Sequence, residues 1–194
     1  MLKKAANIIK QYVGRDDKVG VAVSGGKDSM CLLDLCVNGC GLKKENVFAV
    51  NIEHGIRGET SIGDSSFVRK YCADNGIEFC GFSADVPAAS RISGLGLEAA
   101  ARNERYGIFS RLAESGACKY VLTAHHALDN AETVLMHLFR GSGADGLKGM
   151  DILSRGYILR PLLTTPKSEI DEYIKQNNIP FVTDETNADT AYDR

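Results

Sequence analysis

No run of apolar residues in this chain approaches the roughly 20 needed to span a bilayer as a helix. The N-terminus, Met1-Leu2-Lys3-Lys4-Ala5-Ala6, lacks the apolar h-region of a secretory signal. Charge of one sign is not in excess: the formal net charge over 194 residues is −2. That excludes a chain that grips nucleic acid over its whole surface. Any RNA contact must then be local, or supplied by another domain or subunit. A basic stretch does occur near the start (Lys3, Lys4, Lys10, Arg15 and Lys18 against Asp16 and Asp17), and it reads as a solvated helix face. None of the six cysteines, Cys31, Cys36, Cys40, Cys72, Cys80 and Cys118, forms a C-x-x-C pair. Most sit among apolar neighbours, as small core residues of a protein kept in a reducing compartment do, so a cytoplasmic location is expected. Cys36 and Cys40 are spaced i, i+4, but Gly39 between them marks a helix that is already ending. Internal repeats and low-complexity tracts are absent. So are two familiar phosphate loops. A Walker A loop needs glycine five positions before Gly26, where Val21 stands, and Asp28 rather than Ser or Thr follows Lys27. The dinucleotide fingerprint fails because Gly25 and Gly26 are adjacent.

What is present is more specific. The apolar run Val19-Gly20-Val21-Ala22-Val23 ends abruptly in Ser24-Gly25-Gly26-Lys27-Asp28-Ser29, and the helix-compatible Met30-Cys31-Leu32-Leu33 follows at once. Strand, glycine turn and helix start together aim backbone N–H groups and a helix N-terminus at one spot, which favours an anion. Two glycines let the backbone approach a phosphate closely. Ser24, Ser29 and Lys27 add donors, and Asp28 makes sense beside a phosphate once a Mg²⁺ lies between them.

Strands are expected at 19–23, 47–52, 77–82, 119–123 and 157–160, and helices at 3–13, 28–37, 64–75, 97–114, 128–139 and 167–177. This alternation predicts an α/β fold: a doubly wound parallel sheet of about five strands with helices on both faces. Ligands of such sheets sit beyond the carboxyl ends of the strands, where strand order reverses. Pro161 and Pro166 bracket a short connection that suggests a nucleotide-binding core over 1–165, followed by a helix and polar tail over 166–194.

Further constellations follow the strands. His54 and Arg57 lie three apart in a glycine-containing loop. Arg102 and Arg105 share one helical face, with Glu98 placed to pair with Arg102. In Thr123-Ala124-His125-His126-Ala127-Leu128-Asp129-Asn130-Ala131-Glu132-Thr133, Asp129 and Glu132 share a face in the first turn of a helix, where the dipole stabilises carboxylates. They suit Mg²⁺ or the ammonium of an amine substrate. Leu128, Ala131, Leu135 and Leu138 form a separate stripe expected to face the core. Arg140 and Lys148 lie in a segment, 140–150, with four glycines, and Arg160 closes the last strand. Each suits a phosphate of nucleotide or RNA.

The SGGKDS run resembles the loop of the PP-loop ATP pyrophosphatases. The wider series resembles one branch of them, the tRNA(Ile)-lysidine synthetase family. It comprises SGGKDS at 24–29, HGIRGE at 54–59, LEAAARNERY at 97–106, TAHHALDNAET at 123–133, RGSGADGLKGM at 140–150, RPLL at 160–163 and DETNADTAYDR at 184–194. The resemblance implies that Mg²⁺-ATP adenylates C2 of the wobble cytidine in an isoleucine tRNA with a CAU anticodon, and that free lysine then displaces AMP. It implies catalytic roles for Lys27, Asp28, Asp129 and Glu132. ATP would meet Ser24 to Ser29, His54, Arg102 and Arg105. Mg²⁺ would meet Asp28 and Asp129, and substrate or tRNA would meet Arg57, Arg140, Arg160 and Arg194. A homodimer is a further expectation, as is a C-terminal region beyond Arg194, since the Asn-x-x-Arg continuation and the tRNA-gripping part of the family are not in these residues. Three rivals remain open at this point: a PP-loop tRNA thiolase, a small-molecule synthetase of the same superfamily, and a nucleotide-binding module without turnover.

Overall fold

A computed structural model describes residues 2–55, 59–141 and 147–183, with only the backbone described for 59–62. Six strands, β1 (Val19–Ala22), β2 (Val47–Glu53), β3 (Glu78–Ser83), β4 (Tyr120–Leu122), β5 (Leu153–Ser154) and β6 (Ile158–Leu159), form one sheet in the order β3-β2-β1-β4-β6-β5. All neighbours pair in parallel except β5, which lies antiparallel on β6. The expected doubly wound, mainly parallel sheet is present, with six strands among the described residues rather than about five, the additional β5 antiparallel at the edge. The extra strand has two residues, too short for a hydrophobic pattern. It returns through a tight turn with positive φ at Arg155 (54°) and Gly156 (78°).

Alternation along the strands gives the sheet two apolar faces. Val19, Val21, Val47, Ala49, Leu122 and Leu159 point to one side. There they pack with α1 (Lys3–Tyr12), α2 (Lys27–Asp34), α3 (Glu59–Asp74) and α7 (Lys167–Gln176) through Ile9, Leu32, Val68, Cys72 and Ile170. Phe48, Val50, Val121 and Ile158 point to the other side, onto Phe109 of α5 (Leu97–Glu114). Gly20 lets this face close: a Cβ there would lie 3.0 Å from Val50 and 3.1 Å from the Phe48 ring. A helix not anticipated from periodicity, α4 (Val86–Ser93), packs on α5. Its boundaries are nevertheless written in the chain: Asp85 accepts from the Ala88 N–H at 2.9 Å, proline stands in the first turn, and Gly94 ends the helix with φ of 70°.

Residues after Pro166 belong to this same core. Ile170, Tyr173, Ile174 and Ile179 are buried in it. The Tyr173 hydroxyl donates to the buried Asp34 carboxylate at 2.8 Å, and Asn38 donates to it at 2.7 Å. Of the tail, 184–194 lies outside the described residues.

Helix α6 (Ala127–Phe139) corrects an expectation. Its leucine stripe does not face the core: Leu128, Leu135, Met136 and Leu138 are about half exposed and Phe139 is 85% exposed. None of its residues is buried. The helix is held at its N-terminal end, where Ala127 N–H donates to Thr165 C=O, and on one side, where Asn130 Oδ1 accepts from Met150 N–H at 2.7 Å. Among the described residues no helix is long and apolar enough to cross a membrane.

Two substitutions separate the two kinds of leucine. Leu122→Ala, at a fully buried site, should cost about 2–5 kcal/mol in urea unfolding. Leu135→Ala on α6 should stay within about 0.5 kcal/mol. Equal losses would place the α6 stripe in the core after all.

Candidate active site

Strand order reverses between β1 and β4: the connection from β1 leads to β2 on one side, and that from β4 leads to β6 on the other. A crevice opens at the carboxyl ends of these two strands. It holds a cleft of about 540 Å³ lined by Ser24, Lys27, Asp28, His54, Arg105, His125 and Asp129, among others. That volume suits a nucleotide-sized ligand. A larger open groove of about 730 Å³ lies near the amino ends of β1, β4 and β6, around Asp17, Lys119 and Arg155, away from where such sheets bind ligands.

The glycine loop is built by its own serines. Ser24 N–H donates to Ser29 Oγ at 3.2 Å, Ser29 Oγ–H donates to Gly26 C=O at 2.8 Å, and Gly26 N–H donates to Ser24 Oγ at 3.3 Å. Gly25 has φ of 94°, a conformation that side-chain-bearing residues rarely adopt. Asn51 on β2 supports the loop from below by donating to Val23 C=O at 2.8 Å, and Val182 N–H donates to Gly25 C=O at 2.9 Å from above. No side chain caps α2, so the N–H groups of its first turn stand open to an anion. The two serines, expected as phosphate donors, thus spend part of their hydrogen bonding on the loop itself.

Lys27 lines the cleft, with its side chain reaching across to α7. Its ammonium pairs with Asp171 on α7 at 2.7 Å and lies 5.4 Å from the Phe181 ring centre. Asp28, in the first turn of α2, has Oδ1 buried without a partner. Across the crevice, His126 N-caps α6 and shares a capping box with Asp129. Asp28 and Asp129 therefore line one cleft, on either side of His126. Among the described residues no three His, Cys, Asp or Glu side chains converge on a metal position. Two carboxylates, one with a partnerless buried oxygen, do fit the Mg²⁺ mode, in which one or two carboxylates share the ion with substrate phosphates. Glu132, one turn along, is exposed and is not among the cleft residues.

The other wall is cationic and aromatic. Burial, reinforced by Arg105, lowers the pKa of His54, whose Nδ1 is buried without a partner. Burial also lowers that of Arg105. His125 sits beside Thr123, with Nδ1 3.0 Å from the hydroxyl. Burial first, then Arg160, Arg105 and Arg102 push its pKa down to about 4, against the opposing pull of Asp129. Arg160, expected on substrate or tRNA, is only 4% exposed. It donates to Asp151 C=O and Ser154 Oγ, both at 2.9 Å, and to the Tyr106 hydroxyl at 3.3 Å, with no carboxylate among these partners. Its charge reaches the cleft through its effect on His125. Arg102 is exposed, its guanidinium 5.4 Å from the Tyr106 ring centre. Arg140 follows the last residue of α6, about 17 Å along the helix from Asp129. Arg57 and Arg194 lie outside the described residues, as does most of the glycine loop after Arg140. Motif reading missed Asp171, Phe181 and Val182, which reach the loop from α7 and the segment after it. Their only sequence signal is the amphipathic pattern of α7.

An uncapped helix N-terminus behind a glycine loop, facing two carboxylates at the switch point of a mainly parallel sheet, defines a nucleotide-binding α/β domain. The chain belongs to the PP-loop domain family, whose pattern it matches over residues 1–194. It is 35% identical over 196 aligned positions to a protein of Caldanaerobacter subterraneus subsp. tengcongensis named tRNA(Ile)-lysidine synthase, covering 100% of this chain and 42% of that protein. It is 37% identical over 185 positions to the protein of the same name from Chlorobaculum tepidum, covering 95% of this chain and 56% of that one. The chain thus spans about half or less of the length of these relatives. Among solved structures it is similar to the U34-tRNA thiolase NcsA of Methanococcus maripaludis, which carries a [4Fe-4S] cluster. The TM-score is 0.70 at 20% identity, over 94% of this chain and 66% of that one, a likeness of fold.

The depressed pKa of His125 has a consequence for stability. Above pH 6.5 both folded and unfolded chains hold it neutral. As pH falls from 6.5 to about 4 the unfolded chain binds a proton that the folded one resists, so stability falls through that window. The His125→Asn variant should lose less Tm than the parent between about pH 7.5 and about pH 5, by a few degrees. Parallel melting curves would show His125 to be ordinary.

Proposed function

We propose that this chain is the ATP-using catalytic domain of a tRNA(Ile)-lysidine synthase, acting on the wobble cytidine of an isoleucine tRNA with a CAU anticodon. The reading rests most on one observation: Asp28 and Asp129 face one crevice beside the open N-terminus of α2. Identities of 35% and 37% to proteins of that name, along nearly the whole chain, support it.

The chemistry requires two displacements. The C2 oxygen of cytidine attacks the α-phosphorus of ATP, and pyrophosphate leaves. The ε-amine of lysine then attacks C2, loses a proton, and AMP departs with the C2 oxygen. Activation is needed because an amide-like oxygen is a poor leaving group. The backbone N–H groups at the start of α2 and in the glycine loop suit the charge that grows on the departing pyrophosphate. Asp28 and Asp129 would hold Mg²⁺, which supplies charge neutralisation there when bound. Asp129 also suits the lysine ammonium, with Glu132 at the rim of the same helix turn. Arg105 and His54 line the wall opposite and suit the nucleotide. Lys27 joins the phosphates only by leaving Asp171. A homodimer would have the exposed apolar flank of α6 to bury.

A thiolase reading draws support from the fold neighbour alone. Among the described residues that line the cleft none is a cysteine. Cys31, Cys36, Cys40 and Cys72 are buried in the core, and burial pushes the thiols of Cys31 and Cys72 up to about 12 and about 11, which opposes thiolate chemistry.

The test is transfer of radiolabelled lysine to an isoleucine tRNA with Mg²⁺-ATP, using the full-length protein. Lysine should enter tRNA in step with AMP formation, and Asp129→Ala should cut incorporation at least about 100-fold. AMP without lysine in tRNA would point to another acceptor, and no AMP at all to a binding module.

A further inference from the structure

His126 occupies a position for which its residue type is not the natural choice. Helix N-caps are served best by Ser, Thr, Asp or Asn, whose short side chains reach the first-turn N–H groups. A histidine can cap as well, but its ring is larger than the task requires. Here the ring is 4% exposed and lies between the two carboxylates assigned to the site. Towards α6, its backbone N–H donates to Asp129 Oδ2 at 2.7 Å, and its Nδ1 accepts from the Asp129 N–H at 3.4 Å. The same carboxylate oxygen lies 3.3 Å from Nδ1, closing a compact box. Accepting at Nδ1 leaves the ring hydrogen on Nε2. That atom faces Asp28 Oδ2, on α2, at 3.7 Å. The distance is longer than a hydrogen bond, and it is of the kind that shortens when a site fills. The remaining Asp28 oxygen, Oδ1, is the buried one without a partner.

From this geometry we infer that His126 is a positioning residue that ties Asp28 of α2 to Asp129 of α6, presenting both carboxylates to the same Mg²⁺. The inference rests on the proposed reading of these two side chains. The physical need is clear. The carboxylates sit on helices that follow different strands, β1 and β4. Each is also a like charge to the other, and facing carboxylates repel unless a cation or a donor lies between. A ring with one nitrogen turned to each helix sets their separation, and it directs one oxygen of Asp28 toward the ring while leaving the other for the ion. Serine or asparagine in the same place would cap α6 without reaching α2. His125, its neighbour, points elsewhere, to Thr123 and the cleft wall.

The two duties can be separated by substitution. His126→Asn keeps a good N-cap and loses the reach to Asp28. His126→Gln keeps a long side chain with a donor at its end and gives up the favourable cap. The measurement is binding rather than turnover: Mn²⁺ in place of Mg²⁺, followed by its EPR signal, with a non-hydrolysable ATP analogue and the full-length protein. Melting curves are recorded alongside. The Asn variant should melt within about 2 °C of the parent, yet bind Mn²⁺ in the presence of the analogue about 10–100-fold more weakly. The Gln variant should melt about 2–4 °C lower and keep most of the Mn²⁺ affinity. Undiminished Mn²⁺ affinity in the Asn variant would overturn the inference, as would loss of affinity in both variants only in proportion to lost stability. Asp28→Asn serves as the reference. If it too binds Mn²⁺ as the parent does, the assignment of the carboxylates to the ion fails, and the role of His126 falls with it.

Discussion

The reversal of strand order between β1 and β4 is the constraint on which the rest of this molecule depends. Two parallel neighbours whose connections leave in opposite directions cannot have their following helices packed against each other at the start. The crevice so made receives the loop after β1 and the loop after β4. It also brings the first turns of α2 and α6 to the same place. Parallel pairing then fixes how high each loop stands: Val21 lies opposite Leu122 in the register, so Ser24 and His125 emerge at the same level. Without that register the glycine loop and the Asp129 turn would be two unrelated features of the chain.

Around this crevice the electrostatics are divided. One side carries Asp28 and Asp129 near helix N-termini, where the dipole favours negative charge. The other carries half-buried Arg105 and buried Arg160; burial first, and the charge of both second, lowers the pKa of His125, while burial and then Arg105 lower that of His54. Burying Arg160 with only neutral hydrogen-bond partners is costly. The Tyr106 hydroxyl, the Ser154 hydroxyl and a backbone carbonyl offset part of that cost. The outcome is a site with open cationic and anionic walls on either side of a nucleotide-sized space, an arrangement suited to a polyanion accompanied by a cation.

Helix α6 belongs to this design at one end only. Its first turn is tied to the crevice by the capping box, while its apolar flank runs out from the domain. A helix of 13 residues is marginal by itself in water, so its cap, its Asn130 bond to Met150 and its covalent continuity with β4 carry much of its order. The apolar stripe was legible as a stripe, but not as an exposed one. Periodicity reports that one side of a helix differs from the other, and does not report what that side meets.

Much was legible from residues alone where the cause is local. Glycine at position 25, required by a positive φ, the first strand giving way to the glycine loop after Ala22, the alternation of strands with helices, and the acidic first turn of α6 are all consequences of neighbouring residues acting on the backbone. The sequence by itself determined that an anion-binding loop exists, that it joins a strand to a helix, and that a second acidic turn follows a later strand. Only the tertiary structure decided that Lys27 turns to Asp171, that Arg160 is buried, that the leucines of α6 face outward, and that His126 stands between Asp28 and Asp129. These depend on contacts between residues far apart in the chain, set by strand order and crossover direction, and no period or spacing along a single segment encodes them.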